Sequence, residues 1–169
     1  MTVQDAMTLI DRWVQRTGRA AVLAALVLIT ALLSLGILMR ALPGLTISGY
    51  DEVVELLMAW LTFLGAALLW GEGTLYRVEV LTGRLRGRLA VAGELAVRLL
   101  MLLFALVFTV EGYRVAVLSG ESFPFLQFSK SFAYASMPVA GLLMIVYTAA
   151  GIVGTLLAFR APHSEPPQR

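Results

Sequence analysis

Residues 51–80 read DEVVELLMAWLTFLGAALLWGEGTLYRVEV. From Val53 to Trp70 the run is close to the ~20 residues an α-helix needs to cross about 30 Å of hydrocarbon. Asp51 suits its start, where acidic side chains meet the positive end of the helix dipole. The two glycines of GEGT stop it. One charge, Glu55, lies inside. On a 100° helical wheel Glu52, Glu55, Ala59, Thr62 and Ala66 fall within about 80° of one another. Leu57, Trp60, Leu61, Leu64 and Leu68 occupy the opposite face. The helix is expected to turn its glutamates toward protein and its leucines toward lipid. Glu55 sits only a turn or so inside the boundary, within reach of headgroups, a neighbouring helix or an arginine. An ion or proton site is the competing reading, and a carboxylate at the midplane would favour it.

The rest of the 169 residues has the same character. The chain is 59% apolar and 14% charged, with mean hydropathy +0.84, far above the apolar share of about half in soluble domains. An all-α integral membrane protein is expected. A single four-helix domain covers residues 1–160, with spans at about 20–39, 53–70, 89–110 and 133–159, and a disordered polar tail over 161–169. The third span reaches membrane length only by accepting Glu94 and Arg98, which are four apart and can pair on one helix face. The first run is too long for the apolar core of a signal peptide, and no cleavage site followed by a soluble domain comes after it. It is read as an uncleaved span.

Before that span, Val3, Met7, Ile10 and Val14 recur at helical spacing beside Trp13. This predicts a short amphipathic helix lying on the inner leaflet, unless it simply continues the first span. With the N-terminus inside, Arg12, Arg16, Arg19, Arg77, Arg84, Arg86, Arg88, Arg98, Arg160 and Arg169 are cytoplasmic. Only Arg40, Arg114 and Lys130 are then outside. Both termini are therefore expected in the cytoplasm, and the outer loops are Arg40 to Glu52 and Glu111 to Phe132. The pI near 9.3 reflects basic residues flanking spans rather than one patch, so membrane lipids, not nucleic acid, are the expected partner.

Catalysis finds no support. There is no cysteine, and the one histidine, His163, lies in the tail. No nucleophile and base can be assembled, so no enzyme, metal or cofactor is expected. Glu111 and Arg114, three apart, read as a helix-end pair. The fourth span carries small residues at Gly141, Ala149, Ala150, Gly151 and Gly154, with Ala150 and Gly154 spaced as small-xxx-small. That pattern serves helix packing within the chain or against a partner.

The run ELLMAWLTFLGAALLWGEGTLYRVEVLTGRL, Glu55 to Leu85, resembles the signature region of the small membrane subunit of TRAP transporters, the tripartite ATP-independent periplasmic systems. Trp60, Phe63, Leu64, Gly65, Ala66, Arg77, Val78, Glu79 and Leu81 match its pattern. YASMPVAGLLM, with Tyr134, Pro138 and Gly141, is similar to the start of the family's fourth span. The family often has arginine where Gly71 stands and histidine where Leu75 stands, which leaves Arg77 and Glu79 for any inner-loop role. The resemblance implies a bacterial inner-membrane scaffold for a large sodium-coupled permease subunit that takes up organic acids. A periplasmic binding protein delivers them, touching the outer loops. Glu52, Glu55, Ala59, Thr62, Gly65, Ala66, Arg77, Glu79, Glu94, Arg98, Pro138, Gly141, Ala150 and Gly154 are the candidate interface or structural residues. Two other readings stay open: a self-sufficient four-helix proton-coupled transporter working as a homodimer, and an anchor for an unrelated complex.

Overall fold

The computed structural model describes the backbone of residues 3–41, 48–72 and 88–160, and the side chains of 13–41, 48–72 and 92–155. Among the described residues all regular structure is helical: α1 (Val3–Ala41), α2 (Tyr50–Gly71), α3 (Arg88–Leu118), α4 (Ser131–Tyr134) and α5 (Ser136–Arg160). Four stretches are long and apolar enough to span a bilayer: Trp13–Ala41, Tyr50–Gly71, Ala92–Leu118 and Ser131–Thr155.

Three boundaries differ from expectation, each for a local reason. The N-terminal amphipathic stretch is helical but not separate, because α1 runs unbroken for 39 residues. Its interior holds no proline, and its two glycines, Gly18 and Gly36, cost a helix only about 1 kcal/mol each. Gly18 is used for contact instead, since a Cβ there would lie 2.7 Å from a Leu68 methyl. The third span extends two turns past Val110, so Glu111 and Arg114 pair at 2.9 Å within the helix rather than opening the loop. Gly120, at φ 55, follows its end. The fourth span is divided at Ala135 by Pro138, which offers no N–H to the Tyr134 carbonyl and whose ring crowds that oxygen. The buried Ser136 hydroxyl donates to the Ala133 carbonyl at 2.5 Å and covers the break.

The long helices pack in a row, α1 against α2, α2 against α5 and α5 against α3. Where backbones come close, small residues make it possible. At Gly141 an added Cβ would collide with Thr109, and at Gly112 it would meet Met137 Cβ at 2.8 Å. Apolar surface gains little by leaving lipid, so this close van der Waals fit is what holds α3 to α5. The core is correspondingly small: Ala67, Ala105, Ala140 and Met144, flanked by Phe63, Trp70 and Phe108. Side chains bridge α2 and α3 across it, with Phe63 on Phe108 at 5.7 Å and Trp70 stacked on Phe104 at 5.9 Å.

The row corrects the expected orientation of α2. Glu52 is buried, but Thr62 is exposed, and Leu68, expected toward lipid, is only 4% exposed. α2 has α1 on one side and, on the other, α5 together with the Phe104 and Phe108 rings of α3, so it has no single protein-facing stripe. The end helices are the least covered. In the most apolar windows of α1 and α3 only 11% and 6% of residues are buried, against 17% and 22% in the second and fourth spans.

Candidate functional site

Polar chemistry gathers at both ends of the row. At one end, residues 119–130 fold into a small hairpin against the start of α2. Ser122 and Ser129 form an antiparallel bridge. The Phe123 amide donates to the Phe128 carbonyl at 2.9 Å, and the Lys130 amide to the Glu121 carbonyl at 3.0 Å. Phe123 is wholly buried beneath, against Phe128 at 5.2 Å. Gln127 takes φ 53 to close the turn.

Glu52 clamps this hairpin to α2. Its carboxylate accepts the Phe125 amide at 3.0 and 3.2 Å and the Leu126 amide at 2.9 Å. Gly49, the N-cap of α2, stands at φ 90, and a Cβ there would sit 2.9 Å from Phe125 Cβ. Glycine is therefore required twice over, for the left-handed backbone and for the close approach. Lys130 lies 3.4 Å from Glu121 and 3.6 Å from Glu55, with its ammonium 5.5 Å from the Phe123 ring centre. The hydrogen bond to Glu121 and then the field of Glu55 raise its pKa above the ordinary lysine value, against an opposing effect of burial. Trp60 donates from Nε1 to the Phe132 carbonyl at 3.1 Å.

At the other end, Arg19 reaches across to Glu72 at 2.7 Å. Gln15 donates to the Tyr147 hydroxyl at 3.4 Å, while its Oε1 is buried without a hydrogen-bond partner. Trp70 Nε1 donates to Thr148 Oγ1 at 2.9 Å, tying α2 to α5. Glu94 and Arg98 pair at 2.8 Å, and Thr155 of α5 adds a hydroxyl to the same carboxylate at 3.2 Å. The Arg98 guanidinium occupies the space a side chain at Gly151 would need.

The candidate residues thus separate into groups. Glu52 and Glu55 join the hairpin cluster through backbone amides and Lys130 respectively. Ala59 is half-buried and Ala66 packs on the core, while Gly65 has no atom within 4 Å of a would-be Cβ. Pro138 and Gly141 form the α3–α5 contact. Ala150 and Gly154 face outward, and Gly154 also meets nothing within 4 Å. Arg77 and Glu79 lie outside the described residues, as does Leu75. The position of Gly71 is filled: a Cβ would stand 2.7 Å from Tyr147 and 2.9 Å from Gln15, so the family's arginine would displace both. Sequence reading missed the hairpin, the Arg19–Glu72 bridge and the Trp70–Thr148 bond. For the hairpin alone a signal existed, the phenylalanine-rich ESFPFLQFSK of residues 121–130.

A row of four apolar helices, its polar groups gathered at the ends, defines a small multi-pass membrane protein that is a component of a transport system and not an enzyme. The chain belongs to the family of tripartite ATP-independent periplasmic transporters, DctQ component, whose family model matches residues 29–158, and it is the small membrane subunit of such a TRAP transporter. Membership places it beside other TRAP components in the membrane. No curated protein matches the chain.

Proposed function

We propose that this subunit is the static scaffold for a large sodium-coupled TRAP permease subunit, which takes up organic acids handed over by a periplasmic binding protein. The observation that carries the reading is the open row. The end helices α1 and α3 are scarcely covered, and the small residues Ala150 and Gly154 face away from the chain's own helices. Small outward residues let a partner helix approach closely, which is how helices associate in lipid. The basic residues set the orientation, with both termini on the cytoplasmic side of the bacterial inner membrane. The hairpin of residues 119–130 then faces the periplasm, where a binding protein docks. Residues 1–160 form one membrane domain. Glu52, Glu55, Glu94 and Arg98 hold loops and helices in place, and Arg77 and Glu79 of the inner loop serve the same assembly.

The test is co-expression with the neighbouring large membrane-protein gene. The two chains are expected to leave the membrane as one detergent-stable complex, with this chain degraded or aggregated when made alone. Glu55→Gln is expected to leave transport by the assembled system nearly intact. A stable homodimer that drives proton-coupled flux in liposomes by itself, and loses it with Glu55→Gln, would overturn the scaffold reading.

A further inference from the structure

One flank of α1 holds a groove of about 460 Å³ lined by Gln15, Arg16, Arg19, Ala20 and Leu23. The five residues spread over about 140° of the helix, beside the Gly18 edge that packs on α2. From Arg16 to Leu23 the rise is roughly 10 Å. Along it the lining changes from guanidinium and amide to methyl and isobutyl. Arg19 is also the last charge before the uncharged run of residues 20–39. The boundary between headgroups and hydrocarbon therefore crosses the groove, whose polar half lies in one layer and apolar half in the other.

The charge is unbalanced. Arg19 is neutralised by Glu72 at 2.7 Å, and Arg16 has no ion-pair partner among the described residues. Among the described residues, two guanidiniums and one carboxylate leave one positive charge. A phosphodiester carries one negative charge and matches a guanidinium in hydrogen-bond geometry. A zwitterionic headgroup would add its own ammonium next to the arginines. A singly anionic one balances the site. Gln15 lines the same polar end, its Nε2 already given to the Tyr147 hydroxyl.

We propose that this groove is a specific site for one glycerophospholipid carrying a single negative charge, of the phosphatidylglycerol type. Arg16 holds its phosphate, Arg19 stands beside it, and the start of an acyl chain runs along Ala20 and Leu23. The site depends neither on which side of the membrane it faces nor on the identity of the permease partner.

Native mass spectrometry tests it, on the full chain with any subunit it retains, titrated with phosphatidylglycerol and with phosphatidylcholine of the same acyl chains. One phosphatidylglycerol is expected to be held in preference. Arg16→Gln, a change on the exposed face of the helix, should weaken its retention about fivefold, in keeping with one arginine acting on an anionic lipid. Arg16→Lys should recover part of the loss. Arg40→Gln, the same charge change at the far end of α1, should have no effect. Equal retention of the two lipids, or equal loss in the Arg16 and Arg40 variants, would overturn the site in favour of general attraction between a basic protein and an acidic bilayer.

Discussion

Glu52 is the third helical residue of α2, where a carboxylate would ordinarily bond back to its own helix end. Here it reaches the hairpin and takes two part-buried amides, while the carboxylate itself is buried. Glu52→Ala removes the charged acceptor of both part-buried donors and is expected to destabilise the hairpin by about 1–2 kcal/mol. Glu52→Gln keeps an oxygen acceptor without the charge and should cost about half as much. Hydrogen exchange at Phe125 and Leu126 reads the effect directly. Unchanged exchange in Glu52→Ala would show that Phe123 and the backbone bonds hold the hairpin unaided. Lys130 adds a pH dependence of known sign. Its pKa is raised on folding, so its stabilising contribution is complete below the ordinary lysine value of 10.5 and is lost as pH climbs through the higher folded value. The protection of the hairpin amides, exchange divided by its intrinsic base-catalysed rate, should therefore hold up to the ordinary lysine value and fall above it. Lys130→Met should abolish the alkaline step.

Among the elements, the pairing of α3 with α5 rests on glycines, and two substitutions of the same kind separate packing from partner binding. Gly141→Val drives a branched side chain into Thr109. It is expected to loosen the α3–α5 contact by about 1–3 kcal/mol, the usual effect of overpacking, read as faster hydrogen exchange along α5 in the detergent-extracted assembly. Gly154→Val meets nothing within 4 Å and should leave exchange at that contact unchanged. If the outward face is where the permease subunit sits, the same change should weaken co-purification with it. A normal complex with Gly154→Val would place the partner elsewhere on the row.

For the molecule as a whole, the row makes a prediction about distance. The chain has no cysteine, so pairs can be introduced without background. Gly36 and Tyr50 touch, with the tyrosine ring 2.9 Å from a would-be Cβ. A Gly36→Cys, Tyr50→Cys pair should react with a short bifunctional maleimide. A Leu28→Cys, Val107→Cys pair, on the end helices α1 and α3, should not, because other helices separate them. Efficient linkage of the second pair would mean that the four helices close into a ring.

How much was legible follows from the range of each interaction. Span count, all-helical character and family could be read from residue order, because hydrophobic length and the FLGA and VEV segments are local properties of the chain. The Glu94–Arg98 pair was readable for the same reason, being a contact one turn apart on a single helix. The neighbours of α2 could not be read, since a wheel assumes one buried face and α2 has two. Nor could the clamp of Glu52 on Phe125 and Leu126, which joins residues more than seventy positions apart. The sequence by itself determined that four apolar helices enter a membrane with charges at their ends. Only the tertiary structure decided which helix lies between which, because in lipid that choice rests on side-chain fit and paired polar groups rather than on hydrophobicity, the same on every span.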